Sequence, residues 1–63
     1  MKCSEFLRIL RRDGWYVVSQ KGSHVKMRNP TKSGQLIIPN HGSSELAKGL
    51  EERLRKDAQL ERQ

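Results

Sequence analysis

The sequence predicts a small α+β domain of helix, strand, strand, strand and helix, in which both helices cover one face of a three-stranded antiparallel sheet. Three observations predict this fold. An apolar stripe with helical spacing ends at Gly14, three short strand-like segments separated by turn residues follow it, and helical periodicity returns after Pro39. A chain of 63 residues has room for one domain with one small core.

The first predicted helix runs from Ser4 to Asp13. Ser4 is the expected N-cap, and Glu5 suits the positive end of the helix dipole. Gly14 is expected to end the helix, because glycine readily takes the positive φ of a helix terminus. The apolar stripe of this helix consists of Phe6, Leu7, Ile9 and Leu10.

The segment from Trp15 to Gln20 is aromatic and β-branched, which favours a strand. The next residues, Lys21 to Ser23, are expected to form a hairpin turn. Trp15 and Tyr16 are both candidates for stacking on nucleic-acid bases, but one ring is needed in the core. Trp15, at the junction of helix and strand, is the expected core residue.

The second predicted strand, His24–Arg28, alternates in polarity, with Val25 and Met27 directed toward the core. The side chains directed to the other face are His24, Lys26 and Arg28. A polar turn leads to the third strand, Gln35–Ile38, which ends at Pro39 because proline cannot donate a ladder hydrogen bond. With both helices on the apolar face, the opposite face becomes a basic surface around His24.

The last helix is predicted over residues 49–60. Helical periodicity starts at about Ser44, but Gly49 interrupts it at a cost of about 1 kcal/mol relative to alanine. The loop before this helix contains the second histidine, His41, and residues 61–63 are expected to fray. The apolar face of the helical pattern consists of Leu46, Leu50 and Leu54, together with either Ala58 or Ala47.

The composition is strongly basic, with 13 Lys+Arg against 7 Asp+Glu and a formal net charge of +6. This balance favours an anionic partner, because neutralised phosphates release their counterions. A generic basic protein is the alternative. Binding to a membrane surface is disfavoured, since neither helix sets a wide apolar face against a uniformly basic one.

Cys3 is the only cysteine, which excludes an internal disulfide and a cysteine-rich metal site. No signal peptide or membrane span is recognisable, so a reduced, cytoplasmic protein is expected. No cofactor or metal is expected either. Two histidines and a distant cysteine do not match a zinc site, and no clustered carboxylates indicate magnesium.

Short motifs follow one another along nearly the whole chain. They are Ser4–Leu7, Asp13–Trp15, Lys21–His24, Ile38–Gly42, Glu45-Leu46, Lys48-Gly49 and the closing Leu54, Asp57, Ala58 and Leu60. Each motif alone is weak, but their order and spacing together resemble the HicA-type toxins, the RNA-cleaving half of a bacterial toxin–antitoxin pair. Residues 1–63 are therefore interpreted as a single HicA-like domain.

The resemblance implies a fold similar to a double-stranded-RNA-binding domain and the activity of a type II toxin. That activity is metal-independent endonucleolytic cleavage of mRNA, with His24 as the catalytic histidine. A HicB-type antitoxin that covers His24 is implied as well. The chain departs from the family at Gln59, where glycine usually ends the last helix, and at Glu51, a position that is often apolar.

The residues themselves fit this chemistry. RNA carries its own nucleophile, the 2′-hydroxyl, so a nuclease needs to move protons and stabilise charge on the phosphate. His24 is the candidate for proton transfer, because imidazole has an ordinary pKa of about 6.5. His41 is a second candidate acid–base group or phosphate ligand. The candidate RNA-binding residues are Lys21, Gly22, Ser23, Lys26, Arg28 and Lys48.

Other interpretations remain open at this point. His24 fits equally an exposed strand histidine without a role, Gly22 and Ser23 an ordinary hairpin turn, and His41 a solvent-facing loop residue. A non-catalytic RNA-binding module of the same fold is the rival function, although Lys48 is the single cation at the start of the last helix, where a duplex-binding module needs several. A partner-binding adaptor whose charge only aids solubility is the third.

Overall fold

The computed structural model describes residues 1–60, and within them two helices and three strands follow the predicted order. The elements are α1 (Cys3–Arg12), β1 (Tyr16–Lys21), β2 (His24–Arg28), β3 (Gln35–Pro39) and α2 (Lys48–Asp57). The predicted α+β fold is confirmed. The expected fraying of residues 61–63 lies outside the described residues.

The sheet has the order β1-β2-β3, with antiparallel pairing on both sides of β2. Val25 pairs with Ile38 and Met27 with Leu36, and all of these side chains are buried. Residues that pair directly across an antiparallel ladder share one face of the sheet. The helices therefore cover the face that carries these apolar pairs, as the sequence predicts.

The core joins this face of the sheet to both helices. Phe6 and Leu10 of α1 and Leu54 of α2 are buried, and Trp15 is 2% exposed. Trp15 thus has the core position expected from the sequence. The full cluster of buried residues is Cys3, Phe6, Leu7, Leu10, Trp15, Val25, Met27, Leu36, Ile38, Leu46, Leu54 and Ala58.

The helices do not cover strand β1, since all of its residues are exposed. Val17 pairs with Met27 and hence lies on the helix side of the sheet, yet it is 41% exposed. Val18 forms an irregularity in the ladder between Val17 and Ser19. The β-branched composition of β1 thus reflects strand preference rather than burial, and β1 is an open edge of the sheet.

The N-terminus of α1 differs from the prediction. Lys2 is the N-cap, and its N–H donates to Glu5 Oε1 at 3.0 Å. Ser4 is therefore not the N-cap. It lies in the first turn, where its N–H donates to the Gly42 carbonyl at 3.0 Å. The C-terminus agrees with the prediction, because Gly14 follows the helix with a φ of 105°.

Helix α2 begins at Lys48, one residue before the predicted 49–60 segment, and ends at Asp57, three residues before the predicted end. Residues 44–47 are not helical, because their backbone pairs with the N-terminal segment. Cys3 N donates to Ser44 O at 3.0 Å, and Leu46 N donates to Met1 O at 2.8 Å. Leu46 is buried, as expected for an apolar residue of this pattern, but it belongs to the extended segment and not to a helix. Among the described residues, no helix is long and apolar enough to cross a membrane.

Candidate active site and nucleic-acid interface

The face of the sheet opposite the helices is assembled by the strand register. Lys21 of β1 pairs with His24, which pairs with Pro39 of β3. The next outward-facing position on β2 is Lys26, and the one after it is Arg28. We call this surface the outer face; its members are Tyr16, Ser19, Lys21, His24, Lys26, Arg28, Gln35, Ile37 and Pro39.

His24 lies at one corner of the outer face, as the first residue of β2, and it is exposed. Its neighbour across the ladder is Lys21, a residue that the sequence pattern predicts in the turn. Lys21 is instead the last residue of β1. The strand continues to Lys21 because the turn uses only Gly22 and Ser23, and this places a lysine directly opposite the imidazole on the same face.

The turn before His24 depends on the backbone of Gly22. Gly22 has a φ of 60° while Ser23 does not take a positive φ, as in a type II′ hairpin turn with glycine at its first central position. A Cβ at Gly22 would meet nothing within 4 Å, so conformation rather than space requires glycine. Ser23 O accepts from Asn40 N at 2.6 Å, which ties the turn to the end of β3.

This tie brings His41 to the same end of the sheet as His24. His41 is exposed and follows Pro39, the cross-strand partner of His24, by two residues. Its carbonyl accepts from Ser44 N at 3.1 Å, so its backbone is held in a turn. The turn, His24 and the loop of His41 therefore form one cluster at the corner of the sheet.

The cations of the outer face have no acidic neighbours there, since none of its members is Asp or Glu. Arg28 is exposed and Lys26 is half-buried. Within residues 1–60, ion pairs hold Lys32 to Asp13, Arg55 to Glu51 and the N-terminal amine to Glu45, but no ion pair involves Lys21, Lys26 or Arg28. The outer face thus keeps its positive charge for an external anion.

Lys48 is not brought together with these residues. It is the first residue of α2, which packs on the other side of the sheet. There it lines a shallow depression that also contains Glu45, Glu51 and Glu52. These carboxylates reduce the attraction of this surface for phosphate, in contrast to the outer face.

The outer face also presents apolar area. The Tyr16 side chain is 49% exposed and pairs across the ladder with Arg28, and Ile37 is 47% exposed opposite Lys26. Tyr16 is among the candidates predicted from the sequence, whereas Ile37 is not. The alternation of β3 held the signal: if Leu36 and Ile38 point to the core, Ile37 points away from it. Among residues 1–60, no group of three or more His, Cys, Asp or Glu side chains could hold a metal ion.

An exposed imidazole beside unpaired cations on the open face of a small α+β sheet defines a domain suited to phosphodiester chemistry. A family model described as the HicA toxin of bacterial toxin–antitoxin matches residues 3–60. A protein of Pseudomonas fluorescens (strain Pf0-1) named "Probable mRNA interferase HicA" is 42% identical over 50 residues, which are 79% of this chain and 80% of that protein. The chain belongs to the HicA toxin family.

Proposed function

We propose that this chain is the toxin of a type II toxin–antitoxin system and an endoribonuclease that cleaves mRNA with His24 as its acid–base group. The observation that carries the proposal is the exposed His24, opposite Lys21, on a face that bears further cations and no carboxylate. The same activity is supported by the chain's membership of the HicA toxin family and by the relative named as an mRNA interferase.

The proposed reaction uses the nucleophile of the substrate. His24 in its neutral form takes the proton of the ribose 2′-hydroxyl, and the 2′-oxygen attacks the adjacent phosphorus. The bond from phosphorus to the 5′-oxygen breaks, and that oxygen takes up a proton. The products are a 2′,3′-cyclic phosphate and a 5′-hydroxyl. These steps need no metal ion, because the nucleophile is intramolecular and cationic side chains can stabilise the phosphoryl oxygens.

His41 is proposed as the second acid–base group, the donor to the departing 5′-oxygen. Its exposed position at the His24 end of the sheet supports this role, since Asn40 N bonds to Ser23 O beside His24. Lys21 is proposed to contact the phosphate at the reacting centre, with Gly22 and Ser23 offering close approach of the backbone. Lys26 and Arg28 extend the phosphate-binding surface, and the guanidinium can bind a phosphate through two nitrogens.

The proposed partner is a HicB-type antitoxin that covers His24. Support comes from the composition of the outer face, where exposed Tyr16 and Ile37 lie among cations. A partner with an acidic and partly apolar surface can occupy such a face and exclude RNA from it. The proposal places both proteins and their mRNA substrate in the cytoplasm.

Cleavage by the purified protein tests this function. We expect the wild-type chain to cut single-stranded RNA in the presence of a chelator and to leave 2′,3′-cyclic phosphate ends, and we expect His24→Ala to slow cleavage by about 10²–10⁴-fold. Lys56→Ala removes a charge from an exposed position on α2 and is the matched control, with unchanged cleavage.

The rival function predicts a different result. A non-catalytic RNA-binding module binds RNA and leaves it intact, whether or not His24 is present. Equal cleavage by the wild type and His24→Ala also contradicts the proposal, because the imidazole then has no catalytic role. In cells, the wild-type chain is expected to arrest growth and deplete transcripts, and His24→Ala to do neither.

A further inference from the structure

Within residues 1–60, Tyr16 is the one aromatic side chain on the outer face of the sheet. Trp15 and Tyr16 are adjacent in sequence, and Trp15 is 2% exposed whereas Tyr16 is 49% exposed. The ladder pairs Tyr16 with Arg28, so Tyr16 lies on the same face as His24. Burial of a tyrosine ring stabilises a small core, and this one is left in contact with solvent.

The surroundings of Tyr16 match a nucleic-acid strand. Arg28 lies directly beside Tyr16 across the ladder, and Lys26 follows along β2 toward His24. Phosphates of a strand laid along β2 would meet these cations, while its bases would meet Tyr16 and the apolar side chain of Ile37. Cations with an interleaved aromatic surface are the features that bind single-stranded nucleic acid.

The spacing separates Tyr16 from the reacting centre. His24 and Arg28 are four residues apart on β2, which corresponds to about 13 Å at roughly 3.3 Å per residue. Because side chains stand roughly perpendicular to a sheet, Tyr16, opposite Arg28, lies away from the phosphate that His24 would act on. A base on Tyr16 belongs to a flanking nucleotide, and its role is to position the strand.

We propose that Tyr16 is a stacking platform for an unpaired base of single-stranded RNA, and that it positions the RNA strand along β2 toward His24. The inference rests on the proposed function in that the bound strand is the substrate. It goes beyond that function because it specifies unpaired RNA: a base has a free face for an aromatic ring only when it leaves its own stack. The carboxylates around Lys48 disfavour a second, duplex-binding surface on α2.

The experiment measures binding without cleavage. Dissociation constants for a single-stranded RNA oligonucleotide are measured in the His24→Ala background, so the result does not depend on catalysis. We expect Tyr16→Ala to weaken binding by about 5- to 150-fold, the range for loss of one base–aromatic stack, and Tyr16→Phe to bind like the parent. Val17→Ala is the matched control, because Val17 is a neighbouring, similarly exposed residue on the opposite face.

An abasic scan distinguishes stacking from a structural effect. Each nucleotide in turn is replaced by an abasic one, and every oligonucleotide is tested against the parent and Tyr16→Ala. The proposal predicts one position where loss of the base weakens binding to the parent but not to Tyr16→Ala, which is the coupling expected of a direct contact. A variant that merely misfolds would weaken binding to all oligonucleotides equally. Folding is monitored by the fluorescence of Trp15, which the parent and the variants all contain.

Several outcomes would overturn the platform. They are unchanged RNA affinity in Tyr16→Ala, equal losses in Tyr16→Ala and Val17→Ala, tighter binding of duplex than of single-stranded RNA, and an effect of Tyr16→Ala on antitoxin binding alone. The proposed function fails separately: if the wild-type chain leaves RNA intact while the coupling at Tyr16 is observed, the platform stands and the nuclease does not.

Discussion

Lys21 and His24 face each other as the last pair of the β1–β2 ladder, joined by the turn Gly22-Ser23. This pairing places a lysine and a histidine side by side on one face, at backbone positions that the strand ladder fixes. A group that accepts a proton and a group that stabilises negative charge are the two requirements of phosphodiester cleavage by an internal nucleophile. The His24 corner is therefore the part of the outer face that combines both of these groups.

Removal of the Lys21 charge is expected to slow the chemical step. Lys21→Ala should lower the maximal cleavage rate by about 10- to 100-fold, because charge on the phosphoryl oxygens grows toward the transition state. Single-turnover rates at saturating RNA measure this effect. Lys48→Ala is the matched control, since it removes an exposed lysine beside carboxylates on the other side of the sheet. Similar rates for both variants would mean that Lys21 contributes only general attraction.

A side chain at Gly22 is expected to strain the backbone of the turn without meeting a steric clash. Gly22→Ala should destabilise the fold by about 1–2 kcal/mol, because an L-residue is strained at this positive φ. Gly49→Ala is the control with the opposite sign: Gly49 lies in α2 without a positive φ, and alanine is the better helix former there. Urea unfolding measures both. If Gly22→Ala leaves the free energy of unfolding unchanged, the turn can change its conformation at little cost.

The sequence predicted the parts of this fold that depend on local pattern. Alternation in β2 identified which side chains of His24–Arg28 are buried, and Gly14 marked the end of α1. The same rule applied to β3 would have located Ile37. The outer face could thus be predicted in composition, because strand alternation alone determines which residues share a face.

The parts that it did not predict depend on long-range pairing. Ser44–Ala47 continues the apolar period of α2, but hydrogen bonds to Met1 and Cys3 hold this segment extended. Ser4 is a favourable N-cap residue, yet the loop carbonyl of Gly42 satisfies its N–H and Lys2 becomes the N-cap. Partners 38 to 45 residues away in the chain leave no trace in a local window. The proximity of His41 to the His24 corner depends on another non-local contact, the hydrogen bond from Asn40 N to Ser23 O.

Gln59 offers a stabilising substitution. It follows the C-cap Ala58 with a φ of 54°, the left-handed conformation that glycine adopts without strain. Gln59→Gly is expected to raise stability by about 0.5–1 kcal/mol, since the relief of strain exceeds the added entropy of the unfolded chain. Thermal unfolding measures the change. Gln35→Gly is the control and should destabilise, because Gln35 lies in β3, where glycine is unfavourable.

A loss of stability in Gln59→Gly would indicate that the Gln59 side chain forms a contact whose value exceeds the backbone strain.

The Lys32 side chain, in the loop between β2 and β3, connects the ends of both helices. Its Nζ donates to Asp13 Oδ2 at 2.6 Å, to Gln59 O at 2.9 Å and to Ala58 O at 3.3 Å. A cation at this point satisfies terminal carbonyls of α2 and favours the negative end of its dipole. Lys32→Met keeps the aliphatic stem but removes the charge, and it should destabilise the fold by about 1–3 kcal/mol, as expected for part-buried hydrogen bonds to a charged group.

A double-mutant cycle with Asp13→Asn separates the carboxylate contact from the carbonyl contacts. If Lys32 stabilises the fold through the carboxylate and the carbonyls, Lys32→Met should lower the free energy of unfolding more than Asp13→Asn does. The double variant should then lose less stability than the sum of the two single losses. Lys56→Met is the control for net charge, since Lys56 is exposed in the last turn of the same helix and should change stability by under about 0.5 kcal/mol. If Lys32→Met and Lys56→Met lower the stability equally, Lys32 contributes only through its effect on the net charge. The outer face, which lies on the other side of the sheet from α2, should retain its RNA affinity in both variants, because neither lysine belongs to it.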